Sequence, residues 1–154
     1  MSINNVCDYV ITSVIESGET LSNLKLQKLL YYVQAWHLVY EGDVLFDGKF
    51  EAWVHGPVSR AIYNRFSDDK TLYSDIGMSD RQEGFSPAAL TENQRDHVDR
   101  MLSVYAKFSG PQLEEMTHRE DPWVKARNGY EPWERCSNNI DGALIKSYYT
   151  QRLN

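Results

Sequence analysis

The histidines are the first side chains to weigh for chemistry, because imidazole alone titrates near neutral pH without special help. His55 precedes Gly56-Pro57-Val58, and His118 stands in the run Thr117-His118-Arg119-Glu120-Asp121-Pro122-Trp123. Both read as loop histidines beside helix N-termini, where backbone N–H groups can hold an anion. Arg60, Arg119 or Lys125 would add positive charge to a carboxylate or phosphate site there. The competing reading has both imidazoles capping backbone groups and packing a junction, with Pro57, Arg60 and Glu120 helping to organise it. His37, on an apolar helix, reads as a core hydrogen-bonding group, and His97 as a surface residue.

Other enzymatic chemistry finds little support. HExxH, HxxxH and paired-cysteine spacings are absent, and His118 with Glu120 two residues on does not make a metal site alone. Cys7 lies on an apolar stripe, where a thiol behaves as a small hydrophobe. Cys136, beside Glu134 and Arg135, reads as more exposed but has no assignable base. Without a GxSxG, Walker loop or GxGxxG, the expectation is no catalytic residue, no cofactor and no metal.

A formal charge of −6 over 154 residues argues against a general phosphate-binding surface. Lys25 with Lys28, and Arg119 with Lys125 and Arg127, are interrupted by acidic residues and read as solvated faces, so no direct nucleic-acid contact is expected. The two distant cysteines, the lack of an 18-residue apolar run and the absence of a basic leader point to a cytoplasmic protein with no membrane segment.

Which elements would position these residues? Ile3, Val6, Cys7, Val10, Ile11, Val14 and Ile15 repeat at helical spacing, with Gly18 as the stop. A second helix over about 23–40 starts behind Ser22 or Asn23, is apolar on most of its circumference, and therefore belongs inside a bundle. Val44-Leu45-Phe46, Asp47-Gly48 and Lys49–Val54 read as a β-hairpin with an Asp-Gly turn, anchored by Phe46, Phe50 and Trp53. Pro57 suits the first turn of the next helix, with Val58, Ile62 and Phe66 on one face. Residues 67–90 are polar and suggest a long loop.

Thr91 with Gln94, and Ser109 with Gln112, form capping boxes for helices over 92–107 and up to His118. Asp121-Pro122 reads as an N-cap and first-turn proline, and Gly129 closes that helix. A last helix over about 139–151 puts Ile140, Leu144 and Tyr148 on one side. The fold class is mainly α: a compact domain spanning 1–154, with about six or seven helices and one small hairpin packed on it.

Ten tyrosines and four tryptophans exceed the needs of one small core. Tyr and Trp are favoured at protein interfaces. Adjacent helical residues diverge by about 100°, so Tyr31-Tyr32, Trp123, Trp133 and Tyr148-Tyr149 are not expected all to point inward. Tyr31 and Trp123 are taken as exposed contact residues, although half-exposed aromatics rimming an ordinary core compete with that reading.

The chain resembles the Panacea domain, also met as the SocA-like antitoxin domain and the GepA phage-associated protein. The resemblance rests on Leu24-x-Leu26-Gln27-Lys28-Leu29-Leu30-Tyr31-Tyr32, Phe50-Glu51-Ala52-Trp53, Gly56-Pro57-Val58, Ser109-Gly110 through Leu113, Thr117-His118-x-x-Asp121-Pro122-Trp123 and the closing Ile140 to Tyr148-Tyr149 segment. It implies a mainly helical, non-enzymatic domain of bacteria, prophages and mobile elements that neutralises a cognate toxin by direct binding. One family member acts as an adaptor that delivers its toxin to a protease. No appended DNA-binding segment is seen, so autorepression is not expected. Two other readings stand beside it: a phage-associated protein binding a host protease or other host factor, and a small-ligand or enzymatic site at the His55–His118 junction.

Overall fold

The computed structural model describes residues 1–153. Its elements, in chain order, are α1 (Ile3–Glu16), α2 (Asn23–Glu41), β1 (Phe50–Trp53), β2 (Gly56–Ser59), α3 (Arg60–Phe66), α4 (Glu92–Tyr105), α5 (Gly110–His118), α6 (Asp121–Ala126) and α7 (Gly142–Thr150). Two single-turn 3₁₀ helices lie between α3 and α4. The mainly α fold with one small antiparallel hairpin matches the expectation from the sequence.

Helix α2 is the axis. Every residue from Asn23 to Ala35 is buried, because α1, α4, α5, α7 and β2 all pack against this helix. Its N-terminus is capped by the Ser22 hydroxyl, which accepts from Lys25 N, and Gly42 ends it in the left-handed conformation. Helix α1 adds its stripe of Val6, Cys7, Val10, Ile11 and Val14. Both capping boxes form as read, Thr91 with Gln94 and Ser109 with Gln112.

The hairpin forms one segment later than the Asp-Gly signal suggested. Phe50 pairs with Ser59 and Trp53 with Gly56, so Val54-His55 is the turn and Pro57 sits in β2 opposite Ala52, not in a helix. In residues 44–46, which form no strand, Val44 N donates to Asp43 Oδ1 and the backbone of Leu45 and Phe46 is taken by the Gln34 side chain. Its Oε1 accepts from Leu45 N at 2.9 Å and from Phe46 N at 3.3 Å, and its Nε2 donates to Phe46 O at 2.7 Å. The outer edge of β1 is covered by the segment before α7: Ala52 N donates to Asn138 O, and Ile140 N to Phe50 O, both at 2.8 Å.

Several local readings shift. Lys25 and Lys28 are buried, not solvated; Lys25 Nζ donates to Ala106 O at 2.6 Å. The two histidines exchange roles: His97 is 7% exposed with Nε2 on Val33 O, while His37 is half-buried and bonds Asp43 O. Cys136 is buried, and its sulfur accepts from Asn138 N. Glu120, not Asp121, occupies the N-cap position of α6. Asp141 caps α7 through Ala143 N, so that helix begins at Gly142 and turns Ile145 and Tyr149 inward while Leu144 and Tyr148 are half-buried.

Residues 67–90 are more tightly fixed than their composition suggests. Asp8 is fully buried on α1 and accepts from Arg65 Nη2 at 2.6 Å, Gln82 N at 2.9 Å and Gln82 Nε2 at 2.8 Å. Arg65 also donates to Asp80 O, and Arg81 to the Thr12 hydroxyl. A buried carboxylate with this many donors anchors the polar segment from below. Asp8→Ala leaves the Arg65 guanidinium without its counter-charge and is expected to cost about 3–5 kcal/mol in urea denaturation. Hydrogen exchange should show loss of protection first at residues 78–82.

Candidate interaction site

The His55–His118 junction is assembled from four elements: α2, the hairpin turn, α5 and α6. Its floor is Lys28, fully buried on α2, whose Nζ donates to Pro57 O at 2.7 Å. One residue earlier Gln27 brackets Ser59 with both ends of its amide, accepting from Ser59 N at 2.7 Å and donating to Ser59 O at 3.1 Å. These contacts hold β2 against the axial helix.

Gly56 allows the close approach. Its φ is +93°, and an added Cβ would lie 2.7 Å from Lys28 Cε and 2.8 Å from Thr117 Oγ1. The Gly-Pro-Val sequence is therefore a place where a strand passes tightly over a lysine and helix α5, and a side chain at its first position has no room.

His55 projects from the turn. Its Nδ1 lies 3.2 Å from Glu114 Oε1, and its side chain is 38% exposed. The Tyr73 ring stands edge-on to it, with centroids 5.9 Å apart. His118 is not a loop residue; it closes α5, one turn after Glu114. Its ring stacks on Trp123 at 4.1 Å between centroids, and its buried Nε2 has no hydrogen-bond partner among the described residues. Burial holds the His118 pKa below the ordinary histidine value, with Glu114 opposing that effect. The same cause, again opposed by Glu114, lowers the Lys28 ammonium to about 7.

Trp123 belongs to the framework. It is 7% exposed, donates Nε1 to Trp53 O at 2.7 Å, and carries the Arg127 guanidinium over its ring at 5.0 Å. Arg127, itself buried, donates to Ala52 O at 2.7 Å and to Glu131 O at 2.9 Å. Tyr31 is likewise interior, 1% exposed, with its ring against Tyr32, Phe50 and Tyr149. The expectation that Tyr31 and Trp123 surface fails for two reasons: α2 is enclosed around Tyr31, so divergence by 100° still points inward, and Trp123, on α6, is sandwiched by His118 and Arg127 and tied to Trp53 O. Glu120 sits below the surface too, where its Oε1 accepts from Tyr32 Oη at 2.8 Å and from Tyr149 Oη at 2.7 Å. Burial raises the Glu120 pKa, and the two phenols partly offset that.

Arg60 does reach solvent. It forms a two-pronged pair with Glu51, at 2.9 and 2.8 Å, and lies 5.2 Å over the Trp53 ring. Hydrogen bonding from Arg60 holds the Glu51 carboxyl below its usual range. Trp53 in turn meets Tyr63 edge-on at 4.8 Å. The structure thus gathers His55, Pro57, His118 and Trp123 at one junction, sets Arg60 beside it on the outer face of the hairpin, and places Tyr31 and Glu120 in the interior. Tyr73, Tyr63 and Glu114 escaped the sequence reading, since no spacing ties them to His55.

The arrangement is that of a braced, partly exposed turn. Thr117 Oγ1 is committed to Glu114 O at 2.7 Å, and no serine or cysteine is hydrogen-bonded to either imidazole among the described residues. No cluster of three or more metal-ligating side chains is present among them, and no helix is long and apolar enough to cross a membrane.

A helical domain displaying a rigid hairpin, with its polar residues spent on internal bracing, is the class that fold and site define. The profile of the family described as antitoxin SocA-like, Panacea domain, matches residues 26–124. The chain is also 33% identical over 116 residues to the antitoxin SocA of Caulobacter vibrioides, an alignment covering 71% of this chain and 61% of that protein. The chain belongs to the SocA-like antitoxin (Panacea domain) family. It therefore aligns with less than two thirds of that relative's length. No solved structure matches it.

The Lys28 ammonium provides a test of the junction's packing. Its folded pKa lies below the unfolded value of 10.5. The unfolded chain thus binds more protons between those values, and stability contributed by this group rises as pH increases from 7 towards 10. Urea titrations across that window should show the rise in the native chain and its loss in Lys28→Met.

Proposed function

We propose that this chain is an antitoxin that neutralises a cognate toxin by direct protein–protein binding, as one domain and without chemical turnover. Family membership carries the reading: a relative 33% identical bears the name antitoxin. The junction supports it physically. A surface can bind a partner tightly when its side chains are already ordered, because less conformational entropy is lost on association. His55, Tyr73, Trp53, Tyr63 and Arg60 form such a surface, braced from below by Lys28, Trp123 and Arg127. Aromatic and arginine side chains are also the types enriched at binding hot spots.

Charge supplies the second element. With a net charge of −6, association with a basic toxin surface is accelerated by electrostatic attraction and weakened by salt. Where an adjacent open reading frame encodes a protein that arrests growth, co-expression of this chain should relieve the arrest, and the two should co-purify. The double variant His55→Ala/Tyr73→Ala, altered at half-exposed and exposed positions, should fold normally and bind the toxin more than tenfold more weakly. Unchanged affinity in that variant rules out the hairpin turn as the contact surface. Rescue in the absence of any complex rules out neutralisation by binding. Toxin half-life in the same cells separates a proteolytic adaptor, which shortens it, from a blocking partner, which does not.

A further inference from the structure

Past α6 the chain makes a closed surface loop. Asn138 Nδ2 donates to Ala126 O at 3.1 Å, so the two ends of residues 126–138 meet. Cys136 is buried beneath them, with its sulfur accepting from Asn138 N. A loop of this length with joined ends is an Ω-loop, an arrangement often used for recognition.

Arg127 holds the loop from within. Its guanidinium donates to Glu131 O at 2.9 Å and also to Glu134 O, while its other prong reaches Ala52 O on β1. Between those two carbonyls Glu131-Pro132-Trp133-Glu134 forms a tight turn. Glu134 N donates to Glu131 O at 3.0 Å, and Glu134 Oε1 accepts from Glu131 N at 2.9 Å. Proline at the second position of such a turn arrives with its φ already set. The backbone under Trp133 is therefore fixed on both sides before anything binds it.

The indole it carries is free. Trp133 is 73% exposed. The other three tryptophans donate Nε1 inside the protein: Trp36 to Tyr105 Oη, Trp53 to Glu51 Oε1 and Trp123 to Trp53 O. Each also has an aromatic ring against it. Trp133 has neither kind of partner among the described residues. Val124 and Tyr130, in the same stretch of chain, are exposed as well. An indole held in water on an ordered turn loses little conformational entropy on association, and it brings a large apolar area and one donor.

We infer that Trp133 is an anchor that inserts into an apolar pocket of the toxin, an inference that rests on the reading of the chain as an antitoxin. The free Nε1–H calls for an acceptor inside that pocket. Around the tip Glu131 and Glu134 outnumber Arg135, and none of the three takes part in an ion pair among the described residues. The pocket rim that complements them is basic, in line with the net charge of −6. Through Arg127 the loop is tied to β1, the strand that leads into the His55 turn. One toxin surface can therefore meet both without either having to move.

The test uses the full chain and, as probe, the growth-arresting protein whose arrest the chain relieves on co-expression. Trp133→Ala changes an exposed side chain, so its urea midpoint should equal that of the native chain. Its affinity for the probe should fall about thirtyfold, the loss for an anchoring tryptophan. Trp133→Phe keeps an apolar ring without the N–H and should recover part of that loss. Native tryptophan emission should shift to the blue on binding, and Trp133→Phe should abolish the shift. Glu131→Gln should flatten the salt dependence of binding. Unchanged affinity in Trp133→Ala overturns the anchor, as does a loss matched by a lowered urea midpoint. If the native chain instead dimerises through Trp133, with toxin affinity untouched by Trp133→Ala, the loop is a self-contact and the inference is wrong. If co-expression relieves no growth arrest at all, the antitoxin reading fails and takes the anchor with it. Relief and binding that survive Trp133→Ala undiminished count against the loop alone.

Discussion

The fold depends on one constraint: from Asn23 to Ala35, α2 is wrapped by neighbours on every side, so the polar side chains it carries there must find their partners inside the protein, and all but Asn23 Oδ1 do. An unpaired buried amide or ammonium costs several kcal/mol. Three side chains meet this requirement by taking over backbone that lacks secondary-structure partners. Gln34 binds the chain at Leu45 and Phe46, Gln27 binds both backbone groups of Ser59, and Lys28 binds the carbonyl of Pro57. The hairpin is too short to be stable alone. It is held by the polar residues of a helix as much as by its own ladder.

The tyrosines complete the enclosure. Tyr32 and Tyr149 both donate to Glu120, the Tyr149 hydroxyl oxygen is left to accept from Tyr31 at 3.1 Å, and Tyr32 stacks on Tyr105 at 4.1 Å with the rings nearly parallel. Trp36 Nε1 closes the network on the Tyr105 hydroxyl. This ties α2, α4, α6 and α7 with hydrogen bonds that an aliphatic core could not make. The aromatic richness that suggested an interface is therefore largely internal. What remains outside is a smaller set, Tyr73 and Trp133 most fully.

A framework braced in this way suits the binding role proposed for this chain. The hairpin turn is built on polar residues of α2, Lys28 and Gln27, which hold the backbone of β2. At the hairpin turn the side chains are braced by one another, His55 by Glu114 and Tyr73, and Trp53 by Tyr63 and Arg60. Affinity then comes from complementarity more than from ordering on contact.

The sequence by itself determined the elements whose causes are local. The stripe of α1, the enclosed character of α2, the capping boxes of α4 and α5, and the family-specific run from Leu24 to Trp123 were all legible, because helix periodicity and N-capping act over three or four residues. Tertiary structure decided the rest. Asp47-Gly48 has the composition of a hairpin turn, yet Gln34, more than ten residues away in sequence, captured the would-be first strand. Lys28 reads as a solvated charge until β2 covers it, and His97 reads as a surface residue until α4 docks on Val33. Tyr31 and Trp123 were recognisable as important but misplaced outward. Whether a side chain faces solvent depends on how many elements surround its helix, and that number is set only when the distant segments pack.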